Sequence, residues 1–244
     1  MIYEIKSKQN QKIKDCLKLQ QQSEKNKQKL FLIEGFHLLE MAIAANNLVA
    51  VFSLKSLENV PEDVDQYIVT KDIMEKISTE KTPQGIVAIC RMMEAKEVIS
   101  DKVLFLDQVR DPGNIGTLLR TALAFGYLDV IFAHDCCSPY HEKVIQSSQG
   151  AIFKLRLHEK PVSIASLKKQ KYQILATEIK GSRKIETFHG NKKHVLILGN
   201  EAHGVSSEIL SQADYRLRID IKDIESLNVG VAGGITMYAL TNSR

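Results

Sequence analysis

Two rhythms of hydrophobic position alternate along this chain. Short apolar runs rich in Val, Ile, Leu and Phe are separated by stretches in which apolar residues recur every third or fourth position. The first rhythm fits buried strands, and the second fits helices with one apolar face. Residues 8–20 predict a helix whose apolar positions are Ile13, Leu17 and Leu19. FLIEG (31–35) predicts a strand closed by a glycine turn. FHLLEMAIAANN (36–47) predicts an amphipathic helix with an Asn-Asn end suited to a C-cap. LVAVFSL (48–54) and QYIVT (66–70) read as strands, KDIMEKIS (71–78) as a short helix, and GIVAICRM (85–92) as another strand. The charged stretch 93–102 ends this part, with a linker at 94–101.

The second part opens on VLFLD (103–107), a buried strand ending in an acid, followed by a helix over 115–126. Strands are expected at 129–133, 153–158, 172–177, 194–200 and 215–221. Helices are expected at 142–151, 163–170, 206–213 and 226–241. Strands alternating with helices predict an α/β fold with a mostly parallel sheet covered on both faces. The expected organisation is a small α/β domain over 1–95 and a larger domain over 96–244.

Charge is distributed unevenly. Residues 1–29 carry eight lysines against three acids, residues 30–95 five basic against ten acidic residues, and residues 96–244 twenty against sixteen. The overall net charge of +4 is compatible with a nucleic-acid partner and does not establish one. The polar stretch 20–29 reads as a solvated helix end or mobile loop, or as an arm that meets phosphates. Cys16, Cys90, Cys136 and Cys137 have neither a CxxC spacing nor enough partners for a disulfide framework, so reduced thiols in a cytoplasm are expected. No basic-then-apolar leader opens the sequence. No apolar run approaches the roughly 20 residues of a membrane span. No metal site is expected: the seven histidines lack ligand spacing, and the Cys136-Cys137 pair between His134 and His141 is a weak pointer.

Three strand ends carry candidate chemistry, because ligands of parallel α/β sheets gather at the carboxyl ends of strands. In 107–126, Asn114 lies near a helix start and Arg120 lies six residues on. The plain roles open to them are a helix cap and a surface ion pair. In 196–209, Gly199 ends a strand and Glu201 precedes Gly204. Free N–H groups there suit an anion, although an ordinary β–α turn also uses glycine. His203 in this loop reads as a surface residue. In 219–240, Ser226 can cap the helix that follows, Asn228 lies on its first turn, and Gly230, Gly233 and Gly234 permit close helix packing. The dinucleotide-binding glycine loop, the P-loop, HExxH and GxSxG are all absent from the sequence.

Together these segments resemble the SpoU (TrmH-type) family of RNA ribose methyltransferases in the SPOUT superfamily. N-x-G-x-x-x-R-T-A occurs at Asn114, Gly116, Arg120, Thr121 and Ala122. L-G-N-E-x-x-G runs from Leu198 to Gly204, and E-S-L-N-V-x-V-A from Glu225 to Ala232. IEGFHLLEMAI (33–43) and TPQGIVAI (82–89) resemble the ribosomal-protein-like RNA-binding domain that often precedes the SpoU domain. Two features depart from the pattern. Asp220 follows Ile219 where the third motif usually has proline, with the stretch to Glu225 one residue shorter, and Gly230 stands where Ser or Ala is common.

The resemblance implies a trefoil-knotted domain that uses S-adenosylmethionine to methylate the 2'-hydroxyl of an RNA ribose. It implies that backbone groups at Gly199, Ile219 and Leu227, with Thr177, hold the cofactor. Arg120 would bind the neighbouring phosphate and stabilise the developing alkoxide, because arginine stays protonated. Asn114, Glu201, Ser226 and Asn228 would position the ribose and the arginine. The implied partners are a second copy of the chain, through the C-terminal domain, and RNA. The RNA would be 23S ribosomal RNA, with transfer RNA as the alternative. A non-catalytic RNA-binding protein on the same knotted fold and a base methyltransferase are the other readings.

Overall fold

The apolar runs form strands and the periodic stretches form helices in a computed structural model that describes residues 1–189 and 191–242. The chain begins β1 (Ile2–Ile5), α1 (Gln11–Lys18), α2 (Gln22–Gln28), β2 (Leu30–Glu34), α3 (Phe36–Ala44), β3 (Leu48–Ser53), β4 (Asp65–Val69), α4 (Lys71–Ile77) and β5 (Ile86–Arg91). These strands form one mixed sheet in the order β1-β4-β3-β5-β2, with β1, β4 and β3 parallel and β5 antiparallel to both its neighbours. Ile13 and Cys16 of α1 and Ile73, Met74 and Ile77 of α4 pack with Phe52, Tyr67 and Val69 of the sheet. Two expectations change. β1 was not foreseen, because only Ile5 of its four residues is buried and no alternation marks it. Residues 20–29 are not a loop, since most of them form α2. Its Lys25 is buried at 5% exposure, and its ammonium donates to the Tyr140 carbonyl at 2.8 Å.

The chain continues through β6 (Lys102–Leu106), α5 (Pro112–Ala124), β7 (Asp129–Phe132), α6 (Glu142–Ser148), β8 (Arg156–His158), α7 (Ile164–Lys169), β9 (Gln173–Thr177), β10 (Arg183–Lys184), β11 (His194–Leu198), α8 (Ser207–Gln212), β12 (Tyr215–Arg218) and α9 (Val229–Asn242). A seven-stranded sheet has the order β10-β12-β9-β11-β6-β7-β8, and every neighbouring pair is parallel. β6 and β11 are apolar runs because both faces of the sheet are covered.

Compactness divides the chain into Met1–Met93 with Tyr140–Phe153, and Glu94–Pro139 with Lys154–Arg244. Segment 140–153, read from sequence as part of the 96–244 domain, thus packs with the first unit. The rings of Tyr140 and Phe153 lie 4.8 and 6.1 Å from that of Phe31. Helical periodicity shows which face of α6 is apolar and not which unit covers it.

Candidate active site

β12, β9 and β11 are neighbours in the parallel sheet, with Leu217 level with Thr177 and Ala176 level with Ile197. Their carboxyl ends therefore open side by side. Thr177, Gly199 and Ile219, at or just beyond those ends, line one cleft of about 490 Å³ together with Glu201, Ser226 and Leu227. That volume suits a small-molecule ligand. Much of the lining is apolar, including Leu198, Leu217, Leu227 and Val229, while Glu178, Glu201 and Glu225 bring carboxylates.

The loop after β11 is locked by its own backbone. A side chain at Gly199 would place a Cβ 2.1 Å from the backbone of Gly204 and Val205, so only glycine fits. Asn200 and Gly204 exchange both backbone hydrogen bonds, at 3.0 and 2.8 Å, and Gly204 takes a φ of +71°. The Asn200 carboxamide accepts from the N–H groups of Ala202 and His203, and donates to the Gln108 carbonyl at 2.9 Å. From the neighbouring loop, buried Asp107 accepts from the Ser206 N–H at 2.7 Å. Asn200 lies inside the L-G-N-E motif and Asp107 is the acid that ends VLFLD, yet neither is among the expected site residues. Their signal was position, beside Gly199 and at the end of a buried strand.

Two assignments of helix caps change. The cap of α5 is Asp111, whose carboxylate accepts from the Asn114 N–H at 2.7 Å, and not Asn114. The cap of α9 is Asn228, whose side-chain oxygen accepts from Gly230 and Val231 at 2.9 and 3.2 Å, and not Ser226. The Asn114 side chain is thereby available for another task. It donates to Glu201 at 3.1 Å and accepts from Asn228 at 2.9 Å. One hydrogen-bonded chain, Glu201–Asn114–Asn228, thus joins the three sequence segments. The glycines of α9 permit its approach to α5: a Cβ at Gly233 would lie 2.4 Å from Leu118 and 2.7 Å from Leu198.

Arg120 lies outside the cleft lining. It shares an exposed strip of α5 with Gly113, Thr117 and Ala124, and Thr117 borders Gly230 of α9. Among the described residues Arg120 makes no ion pair or hydrogen bond, so the surface-pair role open to it in the sequence is not realised. Cys136 is near the strand ends, with its thiol donating to the Leu106 carbonyl, and burial pushes that thiol up to about 11. It is no nucleophile at neutral pH. Among the described residues no three His, Cys, Asp or Glu side chains are grouped to hold a metal, and no helix is long and apolar enough to cross a membrane.

Residues 101–238 match the model of the SpoU rRNA methylase family, and residues 10–88 match an MRM3-like substrate-binding domain. The chain belongs to the SpoU methylase family. It is 33% identical to the 23S rRNA (guanosine(2553)-2'-O)-methyltransferase RlmP of Bacillus subtilis, over 97% of this chain and 98% of that protein. Among solved structures it resembles an RNA 2'-O ribose methyltransferase at 26% identity and a TM-score of 0.80, with 98% of each chain covered. An AdoMet-bound rRNA methyltransferase from Sinorhizobium meliloti shares the fold at 24% identity and a TM-score of 0.86, over 98% of this chain and 97% of that one. The second unit is accordingly a SPOUT methyltransferase domain, preceded by a small α/β domain. In SpoU terms, the first and third motifs meet the second through Asn114 and Asn228, and the Arg of the first motif stands apart from the cleft.

Proposed function

We propose that this SpoU protein transfers a methyl group from S-adenosylmethionine to a ribose 2'-hydroxyl, and that its RNA is 23S ribosomal RNA. The observation that carries the reading is the cleft at the ends of β9, β11 and β12, joined to α5 and α9 by the Glu201–Asn114–Asn228 chain. The residues present fit the cofactor. Gly199 lets its loop fold tightly at the strand end, the apolar walls suit an adenine ring, and the three carboxylates complement a sulfonium and an ammonium group. Backbone groups at Gly199, Ile219 and Leu227 would hold it, with Thr177 beneath. The bound cofactor supplies a methyl carbon already activated by its positive sulfur.

This chain's residues must orient a ribose hydroxyl in line with that carbon and manage its proton. Glu201, Asn114 and Asn228 position the ribose, with Ser226 at the cleft edge. Arg120 brings five donors and a permanent charge, with no ion pair among the described residues to occupy them, to the phosphate beside the target nucleotide. Its charge stabilises the oxygen as the proton leaves. The ribosomal assignment is supported by the match to a 23S rRNA enzyme that runs through both units. We further propose a homodimer through α9, whose Val231, Ile235 and Tyr238 form an exposed apolar stripe at i, i+4 and i+7.

The test is a map of 2'-O-methyl groups in RNA from cells with and without this gene, paired with single-turnover assays on 23S and transfer RNA. A ribose methyl lost from 23S RNA is the expected result. Methylation confined to transfer RNA overturns the ribosomal assignment. A methylated base overturns the ribose assignment, and failure to bind the cofactor returns the protein to a non-catalytic RNA binder.

A further inference from the structure

Asp220 departs from the family pattern at the wall of the cleft, and its surroundings account for the departure. The Lys184 ammonium lies 2.5 Å from one carboxylate oxygen of Asp220. Arg218 Nε donates to the other at 2.9 Å. The same guanidinium donates to the Gly181 carbonyl at 2.8 Å. Gly181 is seated against β12 so closely that a Cβ would come within 2.8 Å of the Arg216 carbonyl oxygen. β10 runs parallel to β12, with Lys184 level with Arg218.

These contacts join two strips of chain that both line the cleft. The first strip runs on from β9, lines the cleft at Thr177, Glu178, Ile179 and Lys180, and carries Gly181 and Lys184. The second runs on from β12, whose last residue is Arg218, and lines the cleft at Ile219 and Ile221 with Asp220 between them. We propose that Asp220, Lys184 and Arg218 form an ionic clamp that fixes the spacing of these strips, and so sets the affinity for S-adenosylmethionine, at the place where the motif pattern has proline. This rests on the cofactor reading above. Asp220 is a positioning residue. A proline restricts the backbone covalently, whereas the clamp does so through three charges. A wall already in place spares the ordering cost that binding would otherwise carry. Charges this exposed are screened by salt, so the clamp makes cofactor affinity depend on ionic strength even without RNA.

The experiment is calorimetric titration of S-adenosylmethionine into the full-length protein at low and high salt. Wild type is compared with Asp220→Asn, Lys184→Met and the double variant, and melting curves are recorded on the same samples. Each single variant is expected to weaken binding roughly two- to fivefold at low salt and to lose most of the wild-type salt dependence. The double variant is expected to be no weaker than either single, because both remove one coupling. Single-turnover rates at saturating cofactor should stay near wild type while the cofactor KM rises. Wild-type affinity with wild-type salt dependence in Asp220→Asn overturns the clamp, as do additive effects in the double variant. Should Asp220→Asn melt early, Lys184→Met gives the same reading from the other side of the pair. A wild-type protein that binds no cofactor at any salt overturns the cofactor reading itself, and the clamp with it.

Discussion

The two ends of the parallel sheet are built to opposite rules. At the amino end, Asp129 is fully buried and surrounded by donors. Arg156 gives it two hydrogen bonds at 2.9 Å, His158 Nε2 lies 2.7 Å away, and Ser100 donates from both its N–H and its hydroxyl. The Tyr127 hydroxyl meets His194 Nε2 at 2.7 Å, and Lys102 donates to the Phe125 carbonyl and to Thr241. At the carboxyl end, Glu201, Asn114 and Asn228 are linked by single hydrogen bonds and are exposed or half-buried, and Arg120 carries its charge unpaired among the described residues. Polar groups whose bonds the chain itself fills hold strands together. Groups with capacity left over are available to a ligand. An arginine stands at each end, Arg156 saturated and, among the described residues, Arg120 not, so saturation distinguishes the two where residue type does not.

The comparison breaks most severely at Asp129. Asp129→Ala leaves Arg156 and buried His158 without their carboxylate, and should cost about 3–5 kcal/mol of stability by denaturant unfolding. Cofactor affinity of the folded fraction, at the other end of the sheet, should be unchanged. Burial alone would raise the pKa of Asp129, but hydrogen bonds from His158, Arg156 and Ser100 hold it well below the usual carboxylate range. A depressed pKa contributes stability above the unfolded value, near ~3.9, that is lost as pH falls through the folded value. Wild type should therefore lose stability more steeply below about pH 4 than Asp129→Asn, in melts recorded across pH.

Arg120→Ala should show the reverse profile, with a loss of about 10²–10³ in single-turnover rate and little change in melting. Arg120→Lys should not restore the rate, since lysine lacks the planar fork. A near wild-type rate in the alanine variant would remove Arg120 from the chemistry. A smaller effect is expected from Asn114→Ala, which cuts the chain between the three motifs without touching the cap at Asp111. The rate should fall roughly three- to tenfold with the melt unchanged, and an early melt would place Asn114 among the structural groups instead. The smallest effect on the fold of one chain is expected from Val231→Asp with Tyr238→Asp. Melting should shift by only about 0.5 kcal/mol while light scattering at micromolar concentration moves from dimer to monomer. A wild-type monomer would refute the dimer outright.

Much of this was legible before any coordinates, for identifiable reasons. The strands β6, β9 and β11 are apolar runs that have no other use, the helix α5 carries its periodicity openly, and α9 is a continuous run of small and apolar residues. The cleft residues Thr177, Gly199, Ile219 and Leu227 follow from the motif resemblance and meet in one cleft. Other features left no local trace. β1 exposes three of its four residues and exists because β4 pairs with it. Lys25 belongs to a polar stretch and is buried because the Tyr140 carbonyl, far along the chain, is there to accept from it.

Local pattern alone determined most of the strands and helices, that the second sheet is parallel, and which three strand-end loops are the candidates for chemistry. It could do so because burial periodicity and strand-end position are properties of neighbouring residues. Which side chain caps which helix, which unit covers α6, and what pins the cleft wall were decided only in three dimensions. Asp111 and Asn114 both suit a helix cap, as do Ser226 and Asn228. The choice between them falls to the partners that folding brings from 87 and 114 residues away along the chain. Likewise Asp220 is one more surface acid in the sequence, and acquires its role only where β10 and β12 place Lys184 and Arg218 against it.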